Sequence, residues 1–148
     1  MSKAVQSNTQ VGDLQQVAGG DLTGMEGRLV KLEAVAGKAA VVLPDGDTDL
    51  VPFVVLEGAA ADANAAVRPL EPGRNVRLVL AGTCEPGDVL VLADGTVEAD
   101  RGKVRVLPED AGSYRQVAIA EESGVEGSWV LARPVSAVVI TIDGDLGV

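Results

Sequence analysis

Few side chains in this sequence could do chemistry at neutral pH. There is no histidine and a single cysteine, Cys84. Histidine is the commonest general base and the commonest transition-metal ligand. Ser-His-Asp and Cys-His arrangements therefore cannot form within the chain. Cys84 sits in the stretch AGTCEPGD, between Thr83 and Glu85. A reactive thiolate needs a cation or a helix N-terminus beside it, and these neighbours supply neither. Cys84 reads as a semi-buried structural residue. A lone cysteine also leaves no intramolecular disulfide and no thiolate zinc cluster. The remaining candidates are carboxylates. Asp45, Asp47 and Asp49 alternate as at the opening of a calcium loop. Such a loop wants Gly at its sixth position and Glu at its twelfth, and here Leu50 and Leu56 stand there. The stretch reads as a hairpin turn, and so does the tail bearing Asp143 and Asp145. Glu121 and Glu122 are adjacent and would point to opposite faces of a strand, which does not pair them as acid and base for glycoside hydrolysis. The aromatics are Phe53, Tyr114 and Trp129 alone, too few to make platforms for sugar rings. The expectation is a protein without a catalytic centre, a cofactor or a bound metal.

Charge narrows the partners. Twelve basic residues stand against 22 acidic ones, a net charge of −10. Proteins that bind duplexes gain much of their affinity by neutralising phosphates with Lys and Arg, so nucleic acid is not an expected partner. Lys103 and Arg105 would share a strand face with Arg101 nearby, and this strip reads as a solvated face. No apolar run approaches the length of a membrane span, and the first residues hold no apolar stretch long enough for a signal peptide.

The elements that would position these groups are short strands. Residues 1–26 are rich in Ser, Gln, Asn and Gly with scattered apolars, and read as a polar N-terminal arm. Val5, Val11, Leu14, Val17 and Leu22 are spaced along it as candidate contacts to a neighbouring subunit. A body follows over 27–148. GRLVKLEA places Val30, Leu32 and Ala34 on one strand face, and KAAVVLP returns after Ala36-Gly37. LVPFVVLE is a strand that Pro52 marks as an edge or bulge. The Ala-rich stretch 57–74 reads as a turn or two of helix near 59–67, or a long loop ended by Pro69 and Pro72. NVRLVLAG places Val76, Leu78 and Leu80 on one face. DVLVLA, TVEA and KVRVLP follow, split by EPGD, ADG and DRG. Gln116–Ala120 and Ser128–Arg133 flank an acidic, glycine-bearing connection and read as a β-hairpin. SAVVITI is the last strand. No repeat of fixed period is evident. Short strands with Gly-Pro punctuation predict an all-β fold, a small barrel or sandwich of antiparallel strands. Trp129 reads as a core residue or, alternatively, as an interface anchor.

From about Asn75 onward the order of features resembles the capsid cement, or head decoration, proteins of tailed phages. The resemblance rests on AGTCEPGDVLVLADGTV, then VRVLPEDAGSYRQVAIAEESGVEGSWVLARPV, and within it on Val117, Ala118, Ala120, Gly127 and Val130. It covers about half of the chain. It implies a small β-barrel protein, a homotrimer in many members, that binds the outer surface of the virion head and bridges neighbouring major capsid subunits. The partners so implied are the major capsid protein and further copies of the chain. The alternative is a non-catalytic β-barrel binding module or carrier-like domain of a larger cellular complex. EPGDVLVL resembles the turn of biotinyl and lipoyl carriers, but no lysine sits in a tight hairpin as their modified lysine does. Such a module would need a concave site with convergent polar groups.

Overall fold

The computed structural model describes residues 12–144. Among these residues eleven strands form and no α-helix does: β1 (Leu14–Val17), β2 (Leu29–Val35), β3 (Lys38–Val42), β4 (Phe53–Glu57), β5 (Asn64–Pro69), β6 (Val76–Val79), β7 (Val89–Leu92), β8 (Val104–Val106), β9 (Gly112–Ala120), β10 (Trp129–Pro134) and β11 (Val139–Ile142). The all-β expectation holds.

The strands form two sheets that repeat one topology. The first runs β1-β5-β4-β2-β3 and the second β6-β10-β9-β7-β8, with β11 added on β9. Adding five to each label of the first order gives the second. In each sheet the end of the first strand also meets the last strand in that order through a parallel bridge, Ala18 to Val41 and Leu80 to Val104. Each sheet thereby curls toward closure. We call residues 14–69 the first unit and 76–134 the second.

One turn, used four times, builds this repetition. At its apex Gly27, Asp62, Gly87 or Gly127 has φ between +70° and +91°, a region open to glycine and tolerated by Asp. The apex N–H donates to a strand carbonyl of the opposing hairpin: Gly27 to Val55 (2.9 Å), Asp62 to Ala18 (2.8 Å), Gly87 to Ala120 (2.8 Å), Gly127 to Leu80 (2.9 Å). The same strand residue donates back to the carbonyl after the apex, on Arg28, Ala63, Asp88 and Ser128. Two hairpin-like segments thus cross in each unit, tied to each other at both turns. Two residues past each return stands an inward side chain: Val30, Ala65, Leu90 and Val130 are all fully buried.

The two cores differ. The first unit encloses Ala18, Leu22, Val30, Val41, Phe53, Val55, Ala65 and Val67. The second encloses Leu78, Leu80, Leu90, Leu92, Val104, Val130 and their neighbours, and takes Leu29, Val51 and Val54 from the first. These three face outward from the first sheet and join the units.

Several expectations change. The arm reading fails for residues 14–22: β1 pairs with β5 from Leu14 opposite Val67 to Val17 opposite Asn64, and Leu22 is 1% exposed. Polar composition hid a strand whose few apolar residues are enough, because β5 covers it. The helix expected near 59–67 is also absent. Asn64–Pro69 is strand β5 between β1 and β4, and Ala65 is fully buried within it. TVEA is not a strand but leads into a 3₁₀ turn over Glu98–Asp100. Leu32 and Ala34 do not follow Val30 inward, and Leu32 is 48% exposed. Only Leu29 and Val30 of β2 pair with β4, so beyond them β2 has β3 alone as its neighbour, and Val41 and Ala40 of β3 are buried there while Leu32 is not. The expected 116–133 hairpin pairs only at Ala132–Ala120, Arg133–Ile119 and Pro134–Ala118, while Trp129–Ala132 pair with β6.

Candidate interaction surface

The candidate site lies where the units meet, around Trp129. The turn 124–128 delivers this residue: Ser128 Oγ accepts the Val125 N–H at 3.1 Å and donates to the Val125 carbonyl at 2.7 Å, fixing the loop just before it. Trp129 then pairs with Val79 on β6. Its ring lies on the outer face, 50% exposed. It is not a core residue, which leaves the anchor reading. A Cβ at Gly27 would crowd Val79 Cγ2 at 3.0 Å and would only touch Trp129 Cε2, at 3.5 Å. Beside the ring opens a groove of about 250 Å³, floored by Val54, Leu56 and Leu131 and edged by Arg68, Asn75 and Arg77.

Charge at the rim is paired. Arg77 meets Glu122 at 2.9 Å and Arg68 meets Asp13 at 2.8 Å. Glu121 accepts from Asn75 at 2.9 Å and pairs with Arg133 at 3.2 Å. Each carboxyl is held below the usual range. For Glu122 the main cause is the Leu131 N–H, then Arg77; for Glu121 it is the Asn75 amide, then Arg133; for Asp13 it is the Arg68 guanidinium. An exposed Trp beside an apolar floor, inside a charged rim, makes this the candidate interaction surface among the described residues.

The other candidate groups serve the fold. Asp49 accepts the N–H groups of Asp45 and Gly46 at 3.1 Å and, with Asp45, holds Lys31. Asp47 accepts the Gly95 N–H at 3.0 Å. The three aspartates thus tie loops, and among the described residues no cluster of metal-ligating side chains forms. Glu121 and Glu122 turn to different partners, as adjacency requires. Lys103 pairs with Asp100 at 3.1 Å, while Arg105 lies over the Tyr114 ring, 5.4 Å from its centroid, so the basic strip is spent internally. Cys84 is buried, its thiol donates to the Glu122 carbonyl at 3.6 Å, and burial pushes its pKa up.

Of the proposed contact residues, Val5 and Val11 lie outside the described residues. Leu14 and Val17 are half-buried in β1 and Leu22 is buried, so of the described ones only Trp129 presents a large apolar surface. Sequence reasoning missed Gly27, Arg68 and Arg77. One trace was available: Gly24-Met25-Glu26-Gly27 and Gly124-Val125-Glu126-Gly127 share Gly-x-Glu-Gly, and both end at a left-handed apex beside Trp129.

No family model and no curated protein matches the chain. Among solved structures it is similar to the N base of the head fiber gp8.5 of bacteriophage phi29, with a TM-score of 0.62 and 13% identity, over 85% of this chain and 96% of that one. At that identity the likeness is one of fold. It spans both units.

Proposed function

We propose that this chain is a non-enzymatic structural protein of a tailed-phage head. It binds the outer surface of the capsid as a symmetric oligomer, a trimer, and bridges neighbouring major capsid subunits. The observation that carries this reading is the fold shared with a head fiber base over nearly all of that base. The cement-like phrase at Val117–Val130 supports it independently, because Val130 and Ala120 line the second core while Gly127 sets the turn that presents Trp129. Strong negative charge favours the outer surface over a DNA-facing position. The mechanism is linkage: a protein that binds only the assembled shell stabilises it by its binding free energy, and several weak contacts around one axis add through avidity. In this reading Trp129 and its groove dock on the capsid.

The test is to heat native capsids and capsids lacking the protein side by side and follow DNA release. Depleted capsids should assemble yet release DNA at lower temperature, and Trp129→Ala protein should fail to restore them while keeping its fold. Identical release temperatures, or a location in the tail or head interior, would overturn the proposal and favour the binding-module alternative.

A further inference from the structure

Among the described residues β11 has no counterpart in the first unit. It pairs with the N-terminal part of β9, Val139 opposite Arg115 through Ile142 opposite Gly112. The Gln116 N–H donates to the Val138 carbonyl at 2.8 Å, which sets the phase of this ladder. In an antiparallel ladder paired and unpaired positions alternate. Ile140 and Ile142 therefore turn their backbone groups to β9, and Val139 and Thr141 turn theirs to the opposite side, where no described strand pairs with β11. The Arg115 N–H agrees, pointing away from β11 to the Asp47 carbonyl at 3.2 Å. β11 also buries little: Val138 is 49% and Val139 42% exposed. Exposed edges are normally blunted by charge, proline or a bulge. Residues 136–142, SAVVITI, carry no charge and no proline, and the β9–β11 register is unbroken. This edge is built to be paired.

We propose that the open edge of β11 receives residues 1–11 of a second copy of this chain as an added antiparallel strand. Main-chain bonds to Val139 and Thr141 would hold it, as in strand addition generally. Charge selects this occupant. All 22 acidic residues lie beyond residue 11, and the first eleven hold Lys3 and no acid. Lys3 in such a strand can meet Asp143, the first charge after β11. Eleven extended residues reach roughly 36–40 Å, which is ample to leave one copy and enter the next. The Asp13–Arg68 pair anchors the donor's β1 in its first unit, while the acceptor strand belongs to the second. A head-to-tail exchange of this kind makes a ring when its rotation closes. The inference deepens the oligomer reading above and rests on it.

Thr141→Pro tests it. The substitution removes an N–H that the chain's own ladder does not use, so the fold should survive. Full-length protein should show a concentration-dependent oligomer mass by light scattering, and the Val139 and Thr141 amides should be protected from hydrogen exchange in the oligomer. Thr141→Pro should give a monomer with an unchanged circular dichroism spectrum, and Lys3→Glu should weaken association several-fold. An oligomer that survives Thr141→Pro, or amide protection that does not depend on concentration (the segment folding back on its own chain), would overturn the inference. Capsid binding measured on the same variants reads the functional proposal separately: a monomer that still stabilises capsids leaves capsid binding standing and removes only the oligomer from that proposal.

Discussion

The two units share a topology and differ in how they bury it. The second encloses a leucine-rich interior: Leu78, Leu80, Leu90 and Leu92 are all fully buried. The first has Ala18 and Val30 where the second has Leu80 and Leu90, adds Leu22 and Phe53, and spends Leu29, Val51 and Val54 on its neighbour. The second also gains β11 and the exposed Trp129, whereas at the turn equivalent to Trp129's the first has Asn64. One fold thus serves as scaffold in the first unit and as presenting surface in the second. The backbone bonds of the crossed turns specify topology, and side chains are free to diverge once those bonds are kept.

The sharpest way to break this comparison is Leu29→Ala. Leu29 belongs to a first-unit strand but lies wholly buried in the second unit's core. Truncation should cost about 2–5 kcal/mol, as for other buried leucines. Urea unfolding followed by Trp129 fluorescence, which reports the junction, and by far-ultraviolet circular dichroism should still give one coincident transition. Two separated transitions would show that the units fold independently.

A smaller effect is expected at the crossed turns. Gly87 has φ +91°, and a methyl group added there would meet only open space. Gly87→Ala should therefore cost about 1–2 kcal/mol through backbone conformation alone. Asp62→Gly at the equivalent first-unit apex relieves the same strain but frees the unfolded chain, and its denaturation midpoint should shift by less. Equal losses at both sites would mean that the apices are not equivalent.

The smallest effect concerns acid. Asp13 and Asp45 in the first unit and Glu121 and Glu122 in the second all have lowered pKa values. Depressed folded pKa values mean that the unfolded state binds more protons as pH falls. The stability they contribute is present above the ordinary carboxylate pKa, about 4, and is lost as pH falls through the lower folded values. These carboxyls are exposed, so the effect is modest. Glu122→Gln should flatten the fall in urea midpoint between roughly pH 5 and pH 3. An unchanged slope would remove Glu122 from that balance.

Much of the body is legible in the sequence. Val76, Leu78 and Leu80 alternate and are all buried, and Val104 points inward as its spacing predicts. EPGD, with Gly87 at its apex, turns where it should. Cys84, read as a semi-buried structural residue, is buried. Residues 14–26 and 57–69 escape such a reading for one reason: strands of small or polar residues carry no alternating apolar signal, and propensity yields to pairing on both sides. The repetition is hidden too. Three of the four apices are glycine, but glycine is too common in this chain, 18 of its residues, to mark a repeat, and beyond it only Gly-x-Glu-Gly survives in sequence.

By itself the sequence determined the class of fold and the poverty of its chemistry. Strand alternation and glycine-proline punctuation are local, and missing histidine is a matter of composition. Only the tertiary structure decided which strands pair, that two units repeat, and that Trp129 stands outside while Leu22 stands inside. Those outcomes depend on hydrogen bonds between residues far apart in the chain, such as Gly127 to Leu80 and Asp62 to Ala18. A side chain's burial follows from what another strand places over it, and that is set by pairing rather than by its own neighbours in sequence.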